Sequence, residues 1–297
     1  MKRYCIVFYY GMIDIIGGVC YFTLRITLTA VFPPIFVLVL VKEKRAARKM
    51  PQQTITFQLA THYLPKSALR LECLFSTIIQ ACDETHPVIH HYALTNIIEI
   101  IKLIEKPELK SRFLKEFMRI EHALNKAQIT ITDKLYADLF LQIQDLNQVA
   151  GRFGESIHRD PFLQSIRLAQ SGPHNDCELH SPQLLLWLEN SPTARQHDLA
   201  GWLKLLQTLH NTVTIYLALL RSTAEFDMVD MLNGFYQRSL PSKTSCHLIL
   251  LRMNKSSGLV PKIQLGHHGL SLRLCEANSM HEIHRVDTKI DLAICQL

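Results

Sequence analysis

The stretch from Thr193 to Gln237 constrains the fold more than any other part of the chain. Leu199, Trp202, Leu203, Leu206, Leu209, Val213, Tyr216, Leu217 and Leu220 recur at helical spacing. Leu205, Ile215 and Leu219 place apolar groups on the remaining side. A helix apolar nearly all round is buried on several sides, so these residues predict one long central helix or the seam of a dimer. The chain then passes through Arg221-Ser222-Thr223-Ala224-Glu225-Phe226 into Leu232-Asn233-Gly234-Phe235-Tyr236-Gln237, where the period becomes strand-like. The stretch joins a helical half to a β half, and the expected fold class is α+β.

Helical signals fill the region before it. Pro65 fits the first turn of a helix to about Ala81, with Leu69, Leu71, Leu74 and Ile78 or Ile79 inward. Further helices are expected from His86/Pro87 to Lys106, from Glu108 to Ala127, from Asp133 (capped by Thr132) to Gln148, and from Pro161 to Gln170. Gly151 and Gly154 end the fourth. Ser171–Asp176 reads as a loop, and Ser181-Pro182 starts a short helix carrying Leu184 to Trp187. Helical hairpins in series make a bundle. Thr54–Phe57 alternates and reads as a short strand or arm. After Phe226, strands are expected over Met231–Arg238, Cys246–Met253, Lys262–Leu265, Leu270–Cys275 and Lys289–Cys295, in a small antiparallel sheet or partial barrel.

The net charge is +6 over 297 residues. Residues 1–49 carry eight Lys or Arg against Asp14 and Glu43, while the remaining 24 basic and 24 acidic residues cancel. The folded part therefore lacks the global charge of a nucleic-acid binder. Tyr4–Leu24 is apolar apart from Asp14 and long enough to span a bilayer. Ile26–Val41 is shorter and is broken by Pro33-Pro34; Lys42, Lys44, Arg45, Arg48 and Lys49 follow. Two expectations stand for residues 1–49: a membrane segment with a basic flank, or an over-extended start with translation beginning at Met50. The domain plan is then 1–49 leader, 50–225 helical, 226–297 β.

Eight Cys are scattered without a C-x-x-C pair and read as reduced packing residues of a cytosolic protein. Cys275 and Cys295 fall in the last two strands, where pairing of those strands would make them neighbours. Among fifteen His, the groups His90-His91, His267-His268 and His281-Glu282-Ile283-His284 lack a second ligand pair at zinc spacing. They read as loop or surface His, and neither metal nor cofactor is expected. Phosphate-loop, dinucleotide, nucleophile-elbow and metalloprotease motifs are absent. Glu99/Glu105 and Glu116/Glu121 read as helix-face charges. No enzyme class has positive support.

The remaining chemistry is basic. Arg221 ends the central helix, Arg252 and Arg273 interrupt apolar strands, and Arg238, Lys243 and Lys262 lie nearby in sequence. Arg forks on one wet sheet face would hold an acidic peptide through its carboxylates; the alternative is ordinary solvated charge.

These residues lie within a resemblance to ZapD, the bacterial cell-division family that binds FtsZ. It is carried by Ser181-Pro182-Gln183-Leu184-Leu185-Leu186-Trp187-Leu188, Leu217-Ala218-Leu219-Leu220-Arg221, Phe226 and Leu232-Asn233-Gly234-Phe235-Tyr236-Gln237. Leu251-Arg252-Met253-Asn254, Pro261-Lys262-Ile263, Leu270-Ser271-Leu272-Arg273-Leu274 and Ile290-Asp291-Leu292-Ala293 continue it, with Phe57 and Leu69-Arg70-Leu71-Glu72 ahead. It covers Met50–Leu297; residues 1–49 have no counterpart. The resemblance implies a cytoplasmic, non-enzymatic homodimer at the mid-cell division ring. Such a dimer binds the FtsZ C-terminal tail through a basic surface and bundles filaments. Positions that match family arginines are Arg70, Arg167, Arg221, Arg252 and Arg273. Gly269 stands where a family member can carry a further Arg, and Leu185 where one can carry a His. The alternative is a membrane-anchored interaction protein using residues 4–41.

Overall fold

The structure is a computed structural model that describes residues 10–16, 19–25, 54–127, 131–170, 181–240, 247–266, 269–284 and 287–296. The expected spans and loops at Ile26–Val41, Lys42–Lys49 and Ser171–Asp176, and the residues Lys243, His267 and His268, lie outside the described residues. The chain divides into two compact units, Met1–Pro51 and Gln52–Leu297. In the first, β1 (Tyr10–Ile16) and β2 (Val19–Arg25) pair as an antiparallel hairpin. The described part of the apolar segment is thus strand, and no helix among the described residues is long and apolar enough to cross a membrane.

The second unit begins with β3 (Thr54–Ala60). Among the described residues eight helices follow: α1 (Tyr63–Ala81), α2 (Pro87–Ile104), α3 (Glu108–Ala127), α4 (Asp133–Gln148), α5 (Pro161–Gln170), α6 (Pro182–Glu189), α7 (Pro192–Leu205) and α8 (Gln207–Ser222). Their starts follow local chemistry. Thr132, Ser181 and Ser191 each accept the N–H of the third residue on, as N-caps do. Prolines at 87, 182 and 192 open helices, where a missing N–H costs nothing.

The helices bury apolar stripes, though in α1 Phe75 takes the inward place expected of Leu69 and Leu74, which are only half-buried. Leu71, Phe75 and Ile78 of α1, Leu94, Ile97, Ile101 and Ile104 of α2, and Phe113, Phe117 and Ile120 of α3 enter one core. Helix α8 lies at its centre, against α1, α4 and the last strand. The rings of Phe113 and Phe117 stand 5.4 and 6.2 Å from that of Tyr216. Each fully buried large apolar side chain contributes about 1.5–3 kcal/mol, so this stripe dominates the stability of the helical half.

The single long central helix expected from the spacing is instead two helices. They meet at Leu206, whose φ of −96° and ψ of 4° leave the helical region. The two halves answer to different neighbours. Trp202 of α7 donates to Asp160 at 3.0 Å and stacks on Phe162, whereas α8 points Leu209, Val213, Tyr216 and Leu217 into the central core.

The β half also departs from the expected strand list. Met231–Arg238 is not one strand but β4 (Asp227–Met231) and β5 (Phe235–Arg238), separated by a tight turn. Leu232 and Phe235 exchange two backbone bonds of 3.0 Å across Asn233 (φ 51°) and Gly234 (φ 70°). Two left-handed residues in Asn-Gly order are the signature of a type I′ turn. The remaining strands are β6 (Leu248–Asn254), β7 (Leu259–Gly266), β8 (Gly269–Glu276) and β9 (Thr288–Cys295). They form two antiparallel sheets, ordered β3-β6-β9-β4 and β5-β8-β7.

Alternation assigns the faces. In the four-stranded sheet, Ala60, Leu248, Leu250, Ala293 and Cys295 join the helical core. Ile249, Leu251, Met253, Ile290 and Leu292 face the other way, onto Leu270, Leu272 and Leu274 of the three-stranded sheet. The unit is therefore a helical bundle, a sheet and a second sheet in layers. Cys275 and Cys295 are both buried, but they lie in different sheets.

Candidate functional site

The five matched arginines fall in four places. Arg70 on α1 pairs with Glu99 on α2. Arg167 on α5 pairs with Glu105 at 3.0 Å. Both are bridges between helices. Arg273 projects from the outer face of the three-stranded sheet, 3.0 Å from Glu282 and with its guanidinium 5.0 Å from the centre of the Phe235 ring. Lys262 reaches the other oxygen of Glu282, also at 3.0 Å. The Lys262 ammonium, aided by Arg273, holds the Glu282 carboxyl below the usual carboxylate range.

Arg221 and Arg252 are the two that a single strand links. Arg221 sits in the last turn of α8, and Arg252 lies in β6 on the helix-facing side of its sheet, beyond Leu250. Strand β3 connects them: Thr56 is opposite Arg252, and Gln58, on the same face, is opposite Leu250. Arg221 grips Glu72 of α1 bidentately, at 2.6 and 2.7 Å, and donates to Gln58 at 3.1 and 2.8 Å. Four of its five N–H donors are thereby engaged. The guanidinium of Arg252 lies 4.0 Å above the Phe226 ring, and Asp291 is opposite it in the ladder with β9.

The difference between them is chemical. Arg70, Arg167, Arg221 and Arg273 each face a glutamate. Among the described residues, Arg252 has the Phe226 ring and no hydrogen-bonded acceptor. Cation–π contact holds a guanidinium in place through its face and leaves its in-plane N–H fork open. A half-buried guanidinium so held is ready for a bidentate carboxylate. Arg252 and Arg273 do not share one wet face: the layers place them on opposite sides of the paired sheets.

Phe226, Gln58 and Glu72 complete the Arg221–Arg252 site, and sequence reasoning assigned none of them to it. Glu72 lies two residues after the matched Arg70, but only the fold brings it to Arg221. Gly269 adopts φ 140°, and a Cβ there would collide with the Arg238 carbonyl oxygen, so an arginine at 269 requires the chain to move. Leu185 is exposed on α6.

Other residues proved structural. His90, expected in a loop or on the surface, is fully buried. Its Nδ1 accepts from Arg195 at 2.9 Å, and its Nε2 lies 2.9 Å from the Glu84 carbonyl oxygen. Among the described residues, no three His, Cys, Asp or Glu side chains gather as a metal site would require. A shallow groove of about 530 Å³ lies where α4 turns toward α5, beside Arg152, Glu155 and Arg159. Its charges are already paired with one another.

Known proteins resemble this chain across these residues. The ZapD family model, described as a cell division protein, matches residues 69–273. A cell division protein ZapD of Nitrosomonas eutropha is 26% identical over 251 residues, covering 82% of this chain and all of the relative. Those of Coxiella burnetii and Ralstonia pickettii are 26% and 27% identical, covering 75% and 77% of this chain and 89% and 94% of theirs. The match takes in Arg70, Arg167, Arg221, Arg252 and Arg273, and the chain belongs to the ZapD family of cell division proteins.

Proposed function

We propose that this protein binds the C-terminal tail of FtsZ and, as a homodimer, crosslinks FtsZ filaments at the division ring in the cytoplasm, without catalysing a reaction. The observation that carries the reading is Arg252, a guanidinium supported by Phe226 with its donors open, beside Arg221. A tail carboxylate docks on Arg252. Arg221 has one donor left and keeps Glu72, so it serves first to set the floor of the site. Arg273 and Lys262 form a separate basic place, while Arg70 and Arg167 contribute through their interhelical bridges. Exposed Leu168 on α5 and Leu185 and Leu186 on the adjoining α6 support a surface that a second copy would cover.

Each site need only be weak. A filament displays many tails, and two sites on one dimer raise effective affinity by roughly 10²–10⁴ where geometry permits. Ion pairing at a half-exposed arginine is screened by salt, so tail binding weakens as ionic strength rises.

The test is sedimentation of the full chain, and of Met50–Leu297, with FtsZ filaments carrying or lacking the tail. Co-pelleting and bundling that vanish with the tail are expected. No co-pelleting with intact FtsZ overturns the reading. Co-pelleting by the full chain alone makes residues 1–49 part of the function, and membrane fractionation then tests the anchored alternative that residues 4–41 suggest.

A further inference from the structure

We propose that the open edge of β7 receives an extended peptide whose acidic and apolar residues alternate, adding a fourth strand to the three-stranded sheet. Strand order β5-β8-β7 leaves β7 at an edge, paired among the described residues with β8 alone. Such an edge presents unpaired N–H and C=O groups to a further strand.

Pro261 fixes which groups those are. It lacks an N–H, so within a sheet it is tolerated where the backbone points away from its partner strand. Pairing in an antiparallel ladder alternates. Leu259, Ile263 and Leu265 therefore share the outward orientation of Pro261. The N–H groups of Ile263 and Leu265 are the donors of the open edge, and the carbonyls of Pro261, Ile263 and Leu265 are its acceptors.

The side chains supply the specificity. Lys262 and Gln264 stand on the outer face, in register with Arg273 and Ser271. Lys262 and Arg273 are 47% and 42% exposed and share the single carboxylate of Glu282. Two cations with one carboxylate leave the outer face of this edge positive. On the inner face Ile263 lines the rim of the β core and Leu265 is 40% exposed. A strand laid along β7 places alternate residues next to Lys262 and next to Ile263 and Leu265. Acidic residues suit the first set and apolar residues the second. Pairing with a second copy of β7 instead puts both Lys262 side chains on one face, where like charges repel. This site lies across the paired sheets from Arg252 and does not depend on FtsZ as partner.

The experiment uses the full chain and a fluorescent synthetic peptide alternating Asp and Val, with a control peptide carrying Lys for every Asp. The Asp peptide is expected to bind, and to slow hydrogen exchange at the amides of Ile263 and Leu265. Leu265→Pro removes one outward donor without touching a β7–β8 bond, and Lys262→Glu reverses the outer charge. Each should weaken binding by roughly ten-fold or more, the scale of one lost charge-assisted or ladder interaction. Glu282→Gln should tighten it. Absence of binding at millimolar peptide overturns the proposal, as does binding that leaves those two amides unprotected or that survives Lys262→Glu. Protection that grows with protein concentration alone, without peptide, also overturns it, in favour of edge-to-edge self-pairing. If Leu265→Pro loses its far-UV circular dichroism, the exchange pattern and Lys262→Glu decide.

Discussion

Arg195 and Arg252 show two ways in which this fold holds a guanidinium. Arg195 lies at the corner of α2, α6 and α7 and is 3% exposed. It donates to the carbonyls of Leu188, Asn190 and Thr85 and to the imidazole of His90. Four of its five donors are engaged, none of them by a carboxylate. Arg252 lies half-buried on a sheet face, held through its π surface by Phe226, with its in-plane donors open among the described residues. Burial with full satisfaction ties three segments together and leaves nothing for a partner. Partial burial without an acceptor fixes the side chain while its binding capacity stays unused. The two differ in the inventory of acceptors around each, which net charge does not report.

The comparison breaks most visibly at Arg195. Arg195→Met leaves three part-buried carbonyls and the buried His90 Nδ1 without their donor, and an orphaned buried group costs about 1–3 kcal/mol. With some solvation regained on relaxation, urea unfolding should show a loss on the order of 3–5 kcal/mol. Tail binding per folded molecule should be unchanged. A loss below ~1 kcal/mol would make the corner incidental.

At Arg252 the outcome should invert. Arg252→Ala removes a charged hydrogen-bonding group worth about 1.5–3 kcal/mol toward a carboxylate, so affinity for the FtsZ tail falls by roughly ten-fold or more. Its unfolding free energy should change by less than ~1 kcal/mol, the worth of a half-exposed cation–π contact. Intact binding with lost stability would make Arg252 a second Arg195. Glu72→Gln sharpens the point: by loosening the grip on Arg221 it should raise tail affinity modestly.

A third substitution tests whether satisfaction matters in the core itself. The Tyr216 hydroxyl is buried without a hydrogen-bond partner among the described residues, and burial drives its pKa far above the ordinary tyrosine value. Tyr216→Phe keeps the ring against Phe113 and Phe117 and should raise stability by about 1 kcal/mol. A decrease would reveal a bond the hydroxyl makes in solution.

Much of this architecture was legible in the sequence because it rests on period. The spans of α1 to α4 and the caps at Thr132 and Ser181 are short-range signals that survive packing. The break at Leu206 was hidden because α7 and α8 are both apolar at helical spacing, and only their different neighbours separate them. The Asn233-Gly234 turn is a two-residue signal masked by the alternation on either side of it. The site was half legible. Arg221 and Arg252 stood out as charges in apolar surroundings. Their union depends on β3, which lies more than 160 residues before Arg221. Nor does spacing tell that Arg273 lies across two sheets from Arg252. Arg195 and His90 were illegible as a pair, since nothing local marks a bond between residues 105 apart.

Acid titration offers the smallest and most selective test of the same contrast. Burial lowers the pKa of His158, His210 and His247. At His158, Arg152 and Arg167 add to that effect while Glu155 and Glu105 oppose it. A histidine whose folded pKa lies below its unfolded value, about 6.5, binds more protons when unfolded. Its stabilisation is present above that value and is lost as pH falls through the folded pKa. Stability should therefore decline below about pH 6.5. His158 precedes α5 and His210 lies in α8, so exchange protection should fall in these helices. His247 bonds to Cys295 and Thr61 at the helix-side end of the sheet, away from Arg252. These three histidines lie away from the Arg252 fork, so tail affinity per folded molecule should hold while the bundle loosens. Replacing His158 by Leu removes a buried nitrogen that has no partner among the described residues and should flatten part of the decline. A tail affinity that falls in step with helical protection would show instead that the two regions are one cooperative unit, with the Arg221–Glu72 bridge as the coupling.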